Sequence, residues 1–125
     1  MKTVEIGRIG EDAAAKFLKK QGYKIIVRNV RFSHNEIDII ASDCEFLVFA
    51  EVKTRTEYSK KPFNYGTPAS SVDFAKQKRQ ISAAYAYLRE NPTTKQPRMD
   101  VIEVLLDENT GEVKSINHIR NAYGG

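Results

Sequence analysis

The amino-acid sequence predicts an α/β domain built around a mixed β-sheet. Two segments with helical periodicity, residues 4–21 and 70–90, alternate with segments rich in β-branched and aromatic residues. The resulting order of helix, three strands, helix and two strands is typical of an α/β domain with a mixed sheet. The strands are predicted over residues 23–32, 36–41, 46–54, 98–106 and 113–119.

The first helix has an apolar stripe and two glycines near its beginning. Gly7 and Gly10 lack a Cβ and would let the helix approach the sheet closely. Gly22, directly after Gln21, suits the left-handed conformation that often follows a helix. The apolar stripe consists of Ile6, Ile9, Ala13 and Phe17.

The second helix is predicted to begin in a capping box over residues 70–73, and residues 91–97 end it. A loop over residues 55–70 precedes this helix. A short polar turn over residues 42–45 joins the second and third strands. The predicted apolar stripe of the second helix is Phe74, Ile81, Tyr85 and Leu88.

The composition fits a single domain over residues 1–125. Apolar residues make up 41% of the chain and charged residues 29%, which argues against disorder. No apolar run approaches the roughly 18 residues of a membrane span, and the charged N-terminus lacks the apolar core of a signal peptide. The single cysteine, Cys44, cannot form an internal disulfide, so we expect a cytoplasmic protein. The net charge of +4 permits a polyanionic partner without requiring one.

Two charged residues lie at the end of the third predicted strand. Residues 46–50 are all apolar, which is typical of a central strand covered on both faces. Because side chains alternate along a strand, Glu51 and Lys53 lie on the same face. Opposite charges that emerge directly from a buried strand need an explanation.

The second strand supplies a carboxylate at a matching position. With an even-length turn, strand pairing places Asp38 opposite Phe49 and on the same face as Glu51, about 7 Å away. The same register places Glu36 opposite Glu51, whereas an odd-length turn would send Asp38 to the other face. Two carboxylates at that spacing can reach one Mg²⁺ or Mn²⁺ ion, since Mg²⁺ takes oxygen ligands at about 2.1 Å.

These residue types suit phosphodiester hydrolysis. A cation held by Asp38 and Glu51 would lower the pKa of bound water and polarise a phosphate. Lys53 would orient the attacking water or neutralise charge that develops on the phosphoryl oxygens. Two further metal ligands are candidates, namely the backbone carbonyl of Val52 and the carboxylate of Glu11 at the margin of the first helix's apolar stripe.

Simpler interpretations of the same residues stay open at this point. Asp38 and Lys53 could form a cross-strand salt bridge. Glu36 and Glu51 could be an exposed acidic pair at a strand edge. Glu11 could pair with a basic residue of its own helix.

Basic residues near the predicted centre are candidates for holding nucleic acid. Arg55 and Lys76 lie closest to the centre in the predicted arrangement. Lys78 falls within the apolar stripe of the second helix, so its amine is expected to point toward the site, and Arg79 adjoins it. His34 is a possible phosphate contact, although a single loop histidine is more often only solvated. The loop adds basic and aromatic residues suited to phosphates and unpaired bases, namely Tyr58, Lys60, Lys61, Phe63 and Tyr65. For Lys60 and Lys61 the favoured interpretation is that they are ordinary solubilising charges.

Several short motifs occur together along nearly the whole chain. They are Gly7-x-x-Gly10-Glu11, residues 36–41, residues 49–55, Tyr65-Gly66-Thr67-Pro68, residues 76–81, Met99-Asp100-Val101-Ile102 and His118-Ile119-Arg120-Asn121-Ala122. In this combination the sequence resembles the YraN-like family of small bacterial proteins. That family is similar to the restriction-endonuclease-like PD-(D/E)XK superfamily, and especially to archaeal Holliday-junction resolvases. One departure is Asn35, where the family usually has glycine.

The resemblance implies a restriction-endonuclease-like αβββαβ core with a mixed central sheet flanked by helices. It places Asp38 and the Glu51-x-Lys53 pair at the superfamily's signature positions, and Glu11 at the helix-borne glutamate of the resolvases. The implied function is metal-dependent hydrolysis of DNA, including branched DNA, by a homodimer. The alternatives are a non-catalytic nucleic-acid-binding module in repair or recombination, and a protein-interaction domain whose carboxylates form only salt bridges.

Overall fold

The structure is a computed structural model that describes residues 2–57 and 72–124. The described residues form helices and strands in the predicted order. Of the predicted loop, residues 55 and 56 instead extend the third strand, and residues 58–70 lie outside the described part of the chain. The elements are α1 (Thr3–Lys20), β1 (Lys24–Phe32), β2 (Asn35–Ser42), β3 (Phe46–Thr56), α2 (Phe74–Glu90), β4 (Gln96–Leu106) and β5 (Val113–Tyr123).

The strands form one mixed sheet in the order β1-β2-β3-β4-β5. Neighbouring strands run antiparallel except for β3 and β4, which are parallel. The chain passes through α2 between β3 and β4, because parallel neighbours need a crossover connection. The predicted α/β class with a mixed sheet and an α-β-β-β-α-β order is therefore confirmed.

One helix packs on each face of the sheet. On one face, Ala14 and Leu18 of α1 join a core that includes Ile39 of β2 and Ala50 of β3. On the other face, α2 packs against a second core that includes Phe49. Since both faces of β3 are covered, the polar residues at its end project from the buried middle of the sheet.

The two glycines of α1 differ in their surroundings. A Cβ on Gly10 would lie 1.8 Å from Oγ1 of Thr54, so only glycine fits where α1 crosses β3. A Cβ on Gly7 would meet nothing within 4 Å. The predicted close approach is confirmed at Gly10 and does not occur at Gly7. Gly22 has φ +97°, which confirms the left-handed residue expected after the helix.

The helix α2 begins later than predicted, at Phe74. Its N-cap is Asp73, whose Oδ1 accepts a hydrogen bond from the backbone N–H of Lys76 at 2.8 Å. The predicted cap at residue 70 is therefore wrong. This boundary fixes the point on the first turn from which the side chain of Lys76 leaves the helix.

The apolar stripe predicted for α2 is correct at Ile81 and Leu88, which pack against the second core, and wrong at Phe74 and Tyr85. Phe74 and Tyr85 are 69% and 61% exposed. The buried positions of the helix are instead Gln80, Ala83 and Ala84. Small side chains let the helix axis approach the sheet, so the larger aromatic residues at these two positions face outward. This rotation brings a polar residue, Gln80, to the inner face of the helix.

A buried ionic cluster joins β4 to β5. The carboxylate of Asp100 is fully buried and accepts two hydrogen bonds from Arg98, at 2.9 and 2.8 Å. It also accepts one from the backbone of Asn121 at 2.9 Å, and it lies 2.7 Å from Nε2 of His118. Arg98 donates in turn to the hydroxyl of Tyr23 at 2.8 Å. Burial alone would raise the pKa of Asp100, but these hydrogen bonds outweigh it and hold the pKa below its usual value.

The sequence predicts that no segment of the chain spans a membrane, and the helices test this. Within residues 2–57 and 72–124, neither helix combines the length and apolar character that crossing a bilayer requires.

Candidate active site

The register of β2 and β3 differs by two residues from the predicted one. Ile39 pairs with Ala50 and Ile40 with Phe49, so Asp38 stands at the level of Glu51 rather than opposite Phe49. The parity is as predicted, because four residues, 43–46, lie between the paired residues Ser42 and Leu47. This turn is set by Asp43, whose Oδ1 accepts the backbone N–H groups of residues 45 and 46. Each residue of β2 is thereby shifted along β3, and Asp38 moves closer to Glu51.

Asp38 lies where the backbone ladder between β2 and β3 ends. Its Oδ2 accepts a hydrogen bond from the backbone N–H of Val52 at 2.8 Å. Burial, followed by repulsion from the carboxylate of Glu51, raises the pKa of Asp38 to about 7. The hydrogen bond from Val52 opposes this shift but does not cancel it. At neutral pH the site thus favours a positive ion, or a proton, next to this carboxylate.

Glu51 is 6% exposed and receives positive charge from two lysines. Its Oε1 lies 2.6 Å from Nζ of Lys76 and 3.8 Å from Nζ of Lys53. The other oxygen, Oε2, lies 3.4 Å from Nε2 of Gln80. The contact with Lys53 agrees with the prediction that both residues share a face of β3. Lys53 thus pairs with Glu51 and not with Asp38, the partner in the simpler interpretation considered above.

Asp38 and Glu51 line one polar cavity of about 300 Å³. The cavity lies between the first residues of β2, the end of the apolar part of β3 and the beginning of α2. Its lining combines three carboxylates with two basic side chains. The lining residues are His34, Asn35, Glu36, Asp38, Glu51, Lys76, Arg79 and Gln80.

Glu11 reaches Asp38 from the opposite face of the sheet. With Val52 and Asp38 it lines a second cavity of about 260 Å³. Its Oε1 accepts hydrogen bonds from Arg28 at 3.0 Å and Asn29 at 2.9 Å, so its partners come from β1 and not from its own helix. Among residues 2–57 and 72–124, no three carboxylate, histidine or cysteine side chains converge on one point. The predicted ligand role of Glu11 therefore rests on its position beside Asp38 and not on a formed cluster.

The residues predicted to hold nucleic acid divide into two groups. Arg79 lines the cavity, and Lys76 enters it to contact Glu51. Lys78 instead lies over the ring of Phe74, 4.8 Å from its centroid, on the outer face of α2. The expectation that its amine points toward the site is wrong, because Phe74, which the predicted stripe placed on the inner face of α2, is exposed. Arg55 follows Lys53 along β3 and is half-buried. The predicted loop residues Tyr58, Lys60, Lys61, Phe63 and Tyr65 lie outside the described part of the chain.

Comparison with known proteins places this site in a defined group. The sequence matches the profile of the uncharacterised protein family UPF0102 over residues 10–104. The chain belongs to this family. The matched span includes Asp38, Glu51 and Lys76, so the whole carboxylate cavity lies inside it.

Individual relatives cover most of the chain. A UPF0102 protein of Caldanaerobacter subterraneus subsp. tengcongensis is 41% identical over 119 residues, which are 94% of this chain and 93% of the relative. One of Chlorobaculum parvum is 47% identical over 123 residues, covering 94% and 91%. One of Symbiobacterium thermophilum is 49% identical over 100 residues, covering 79% and 80%. The resemblance to an uncharacterised family of small bacterial proteins is confirmed.

Gln80 is a cavity residue that the sequence did not identify. Gln80 is buried, and its Nε2 donates to the backbone carbonyl of Glu36 at 2.8 Å as well as approaching Glu51. A polar residue on the inner face of a helix is the signal that could have revealed it, once that face was correctly assigned. His34, which the sequence offered as a possible phosphate contact, occupies the two-residue turn between β1 and β2 and lines the cavity.

Proposed function

We propose that the protein is a metal-dependent endonuclease that hydrolyses phosphodiester bonds in DNA, including branched DNA. The observation that carries this proposal is the pair of neighbouring carboxylates, Asp38 and Glu51, in one polar cavity whose lining also includes the basic residues Lys76 and Arg79. Burial and, after it, repulsion between these two carboxylates raise the pKa of Asp38. A cation bound by both carboxylates would relieve this repulsion, and the basic side chains favour an anionic substrate.

The donor set fits Mg²⁺ or Mn²⁺. Both ions accept carboxylate oxygens, and Mg²⁺ keeps several water ligands, so two protein carboxylates are sufficient. When bound, such a cation acts as a Lewis acid toward a phosphoryl oxygen and makes water a better nucleophile at neutral pH. Asp38 and Glu51 would hold it. The carbonyl of Val52 and the carboxylate of Glu11 are further candidate ligands on the side of the second cavity.

The surrounding side chains suit the substrate rather than the cation. Lys53 projects on the same face as Glu51, where its ammonium can orient the attacking water or neutralise charge on the phosphate. Arg79 on α2 and His34 on the β1–β2 turn lie on the rim and can contact phosphates that flank the reacting one. Arg55, further along β3, extends this basic surface.

The order of secondary structure supports the same proposal. The α-β-β-β-α-β order, with Asp38 on the second strand and Glu51 and Lys53 on the third, agrees with the resemblance to restriction-endonuclease-like nucleases. Resolvases in that group act on branched DNA as two-fold dimers, and we extend this expectation to a homodimer here. A cytoplasmic location accords with a DNA substrate.

The test is a cleavage panel of duplex, single-stranded, flapped and four-way DNA with Mg²⁺ or Mn²⁺. Glu51→Ala and the isosteric Glu51→Gln should abolish metal-dependent cleavage while leaving the fold and DNA binding largely intact. The matched control is Glu36→Gln, which changes a carboxylate on the same cavity that pairs with Arg31 at the sheet edge. Cleavage by Glu51→Gln at the rate of the unchanged protein would refute the assignment.

A second candidate function is a nucleic-acid-binding module without catalysis in repair or recombination. The observation that favours it is the 2.6 Å contact between Lys76 and Glu51, since an ion pair already balances the charge of Glu51. This candidate predicts salt-dependent binding to DNA with no cleavage of any substrate in the panel. Calorimetric titration with Mn²⁺ separates both candidates from a domain that uses its carboxylates only for salt bridges.

A further inference from the structure

Lys76 is anchored at its backbone and reaches into the cavity with its side chain. Its backbone N–H is held by the N-cap Asp73, so the first turn of α2 fixes where the side chain starts. From there the ammonium extends to Oε1 of Glu51, at 2.6 Å. About a third of the side chain is exposed, which leaves a path from Glu51 to the mouth of the cavity. The backbone of Lys76 is therefore fixed by the first turn of α2, while its long side chain can adopt other rotamers.

A cation at Glu51 and the ammonium of Lys76 compete for the same oxygen. Oε1 is also approached by Lys53 at 3.8 Å, whereas Oε2 faces Gln80. A divalent ion would lie about 2.1 Å from a carboxylate oxygen, and an ammonium 2.6 Å from that oxygen would repel it strongly. Lys76 makes the shorter contact of the two lysines, so it is the group that must move.

We propose that Lys76 is a resident counter-ion of Glu51, which a divalent cation displaces, and that the released ammonium then binds a phosphate of the nucleic acid. The proposal rests on the metal site proposed above and adds how that site is regulated. Metal binding at Glu51 would create a phosphate contact, and phosphate binding would remove a competitor of the metal. By thermodynamic reciprocity, each ligand then increases the affinity of the protein for the other.

The physical reason for such an arrangement is charge balance in a partly buried site. With Lys76 at Glu51, this carboxylate is neutralised when neither ligand is present, so Glu51 is not an unpaired buried charge. When metal and phosphate arrive together, the cation replaces the ammonium at Glu51 and the phosphate replaces Glu51 at the ammonium. Lys76 and Glu51 therefore each keep a partner in both states. Arg79 and His34 mark the rim toward which the ammonium would move.

The first test is calorimetric titration of Mn²⁺ without nucleic acid. Lys76→Met should bind Mn²⁺ about tenfold more tightly than the unchanged protein, since a competing charge is gone. The matched control is Lys78→Met, which removes the same charge two residues along the helix from a side chain that contacts Phe74 instead of Glu51. Its affinity should stay within about twofold of the unchanged protein, because long-range charge is screened. Lys76→Gln, which keeps a polar end group, should shift the affinity in the same direction as Lys76→Met.

Two outcomes would overturn the inference, and they have different consequences. If the unchanged protein binds Mn²⁺ and Lys76→Met binds it no more tightly than Lys78→Met, the counter-ion role is refuted while the proposed metal site stands. If neither the unchanged protein nor any variant binds Mn²⁺, the metal site falls and the inference falls with it. Circular dichroism and thermal unfolding of each variant confirm that the fold is retained.

The second test is the salt dependence of DNA binding with and without Ca²⁺, an ion that takes oxygen ligands. Without the cation, Lys76→Met should show the same slope of affinity against salt as the unchanged protein, because the ammonium is occupied by Glu51. With Ca²⁺, the unchanged protein should gain close to one extra phosphate contact, a slope difference of about 0.9. An equal loss in Lys76→Met under both conditions would show a constant phosphate contact and refute the exchange.

Discussion

Replacement of Asp38 by asparagine should stabilise the metal-free protein at neutral pH, although it removes a residue proposed to be essential for activity. The carboxylate is partly buried beside Glu51, and its pKa is raised to about 7. An asparagine oxygen can still accept the hydrogen bond from the N–H of Val52, but the amide carries no charge. The substitution therefore removes the repulsion and keeps the geometry.

The magnitude follows from the displaced pKa. A raised pKa means that the folded chain binds more protons than the unfolded chain between about pH 4 and pH 7, so the stability of the unchanged protein falls as the pH rises through that interval. One pH unit corresponds to about 1.4 kcal/mol, which sets an upper limit of about 2.7 kcal/mol between pH 5 and pH 7. Relaxation and water entry reduce this limit, so we expect Asp38→Asn to gain about 1–2 kcal/mol over the unchanged protein in that interval.

The assay is urea unfolding of both proteins at pH 5 and pH 8 in the presence of a chelator. The difference in the free energy of unfolding between Asp38→Asn and the unchanged protein should grow with pH. In thermal unfolding at pH 8, the melting temperature of Asp38→Asn should lie roughly 3–8 °C above that of the unchanged protein. Asp12→Asn, which alters an exposed carboxylate on α1, should show no such growth. A difference between Asp38→Asn and the unchanged protein that is equal at both pH values, or a loss of stability at pH 8, would refute the electrostatic account of this site. Added Mn²⁺ should stabilise only the protein that keeps Asp38.

Three further predictions address the fold. Asp100→Asn should lower the free energy of unfolding by about 3–5 kcal/mol at pH 7, because it leaves buried donors uncompensated. Since the pKa of Asp100 lies below its usual value, its contribution is present at neutral pH and is lost as the pH falls through the folded-state pKa, which acid titration of both proteins would reveal. Gly10→Ala should lower the free energy of unfolding by about 1–3 kcal/mol, because its Cβ would overlap with β3. Gly7→Ala should raise it by up to about 1 kcal/mol, because alanine favours the helix and its Cβ meets nothing. Equal effects of the two substitutions in thermal unfolding would contradict the observed packing. Tyr87→Ala should lower the free energy of unfolding by about 2–4 kcal/mol, because the ring of Tyr87 packs on Phe49. Tyr85→Ala, at an exposed position, should change it by less than about 1 kcal/mol. A larger loss for Tyr85→Ala than for Tyr87→Ala would show that Tyr85 lies on the buried face of α2, as the sequence predicted.

The strand content and the parity of the site could be predicted because both depend on local pattern. An unbroken apolar run before Glu51 indicates a strand buried on both faces, and alternation puts Lys53 on the same face as Glu51. An even-length turn is enough to keep Asp38 on that face. None of these conclusions requires knowledge of the tertiary contacts between the helices and the sheet.

The exact register could not be predicted, because a shift of two residues leaves every side chain on the same face and alternation gives no signal for it. Asp43 organises a turn over residues 43–46, one residue later than the predicted turn over residues 42–45, and this moves Asp38 from the level of Phe49 to that of Glu51. The face of α2 could not be predicted because it depends on contacts between residues far apart in the sequence. Helical periodicity gave α2 an apolar stripe of large residues. The positions buried against the sheet instead include Ala83 and Ala84, whose small side chains allow close approach, and Phe74 faces outward.

The sequence by itself determined the order of elements, the mixed sheet and the proximity of Asp38, Glu51 and Lys53, because each follows from residue spacing along the chain. Only the tertiary structure decided which groups surround those carboxylates. It brought Lys76 and Gln80 of α2 onto Glu51 and joined Glu11 to Arg28. Partners separated by many residues meet through helix packing, and the energies of burial and charge pairing that select them are absent from any local pattern.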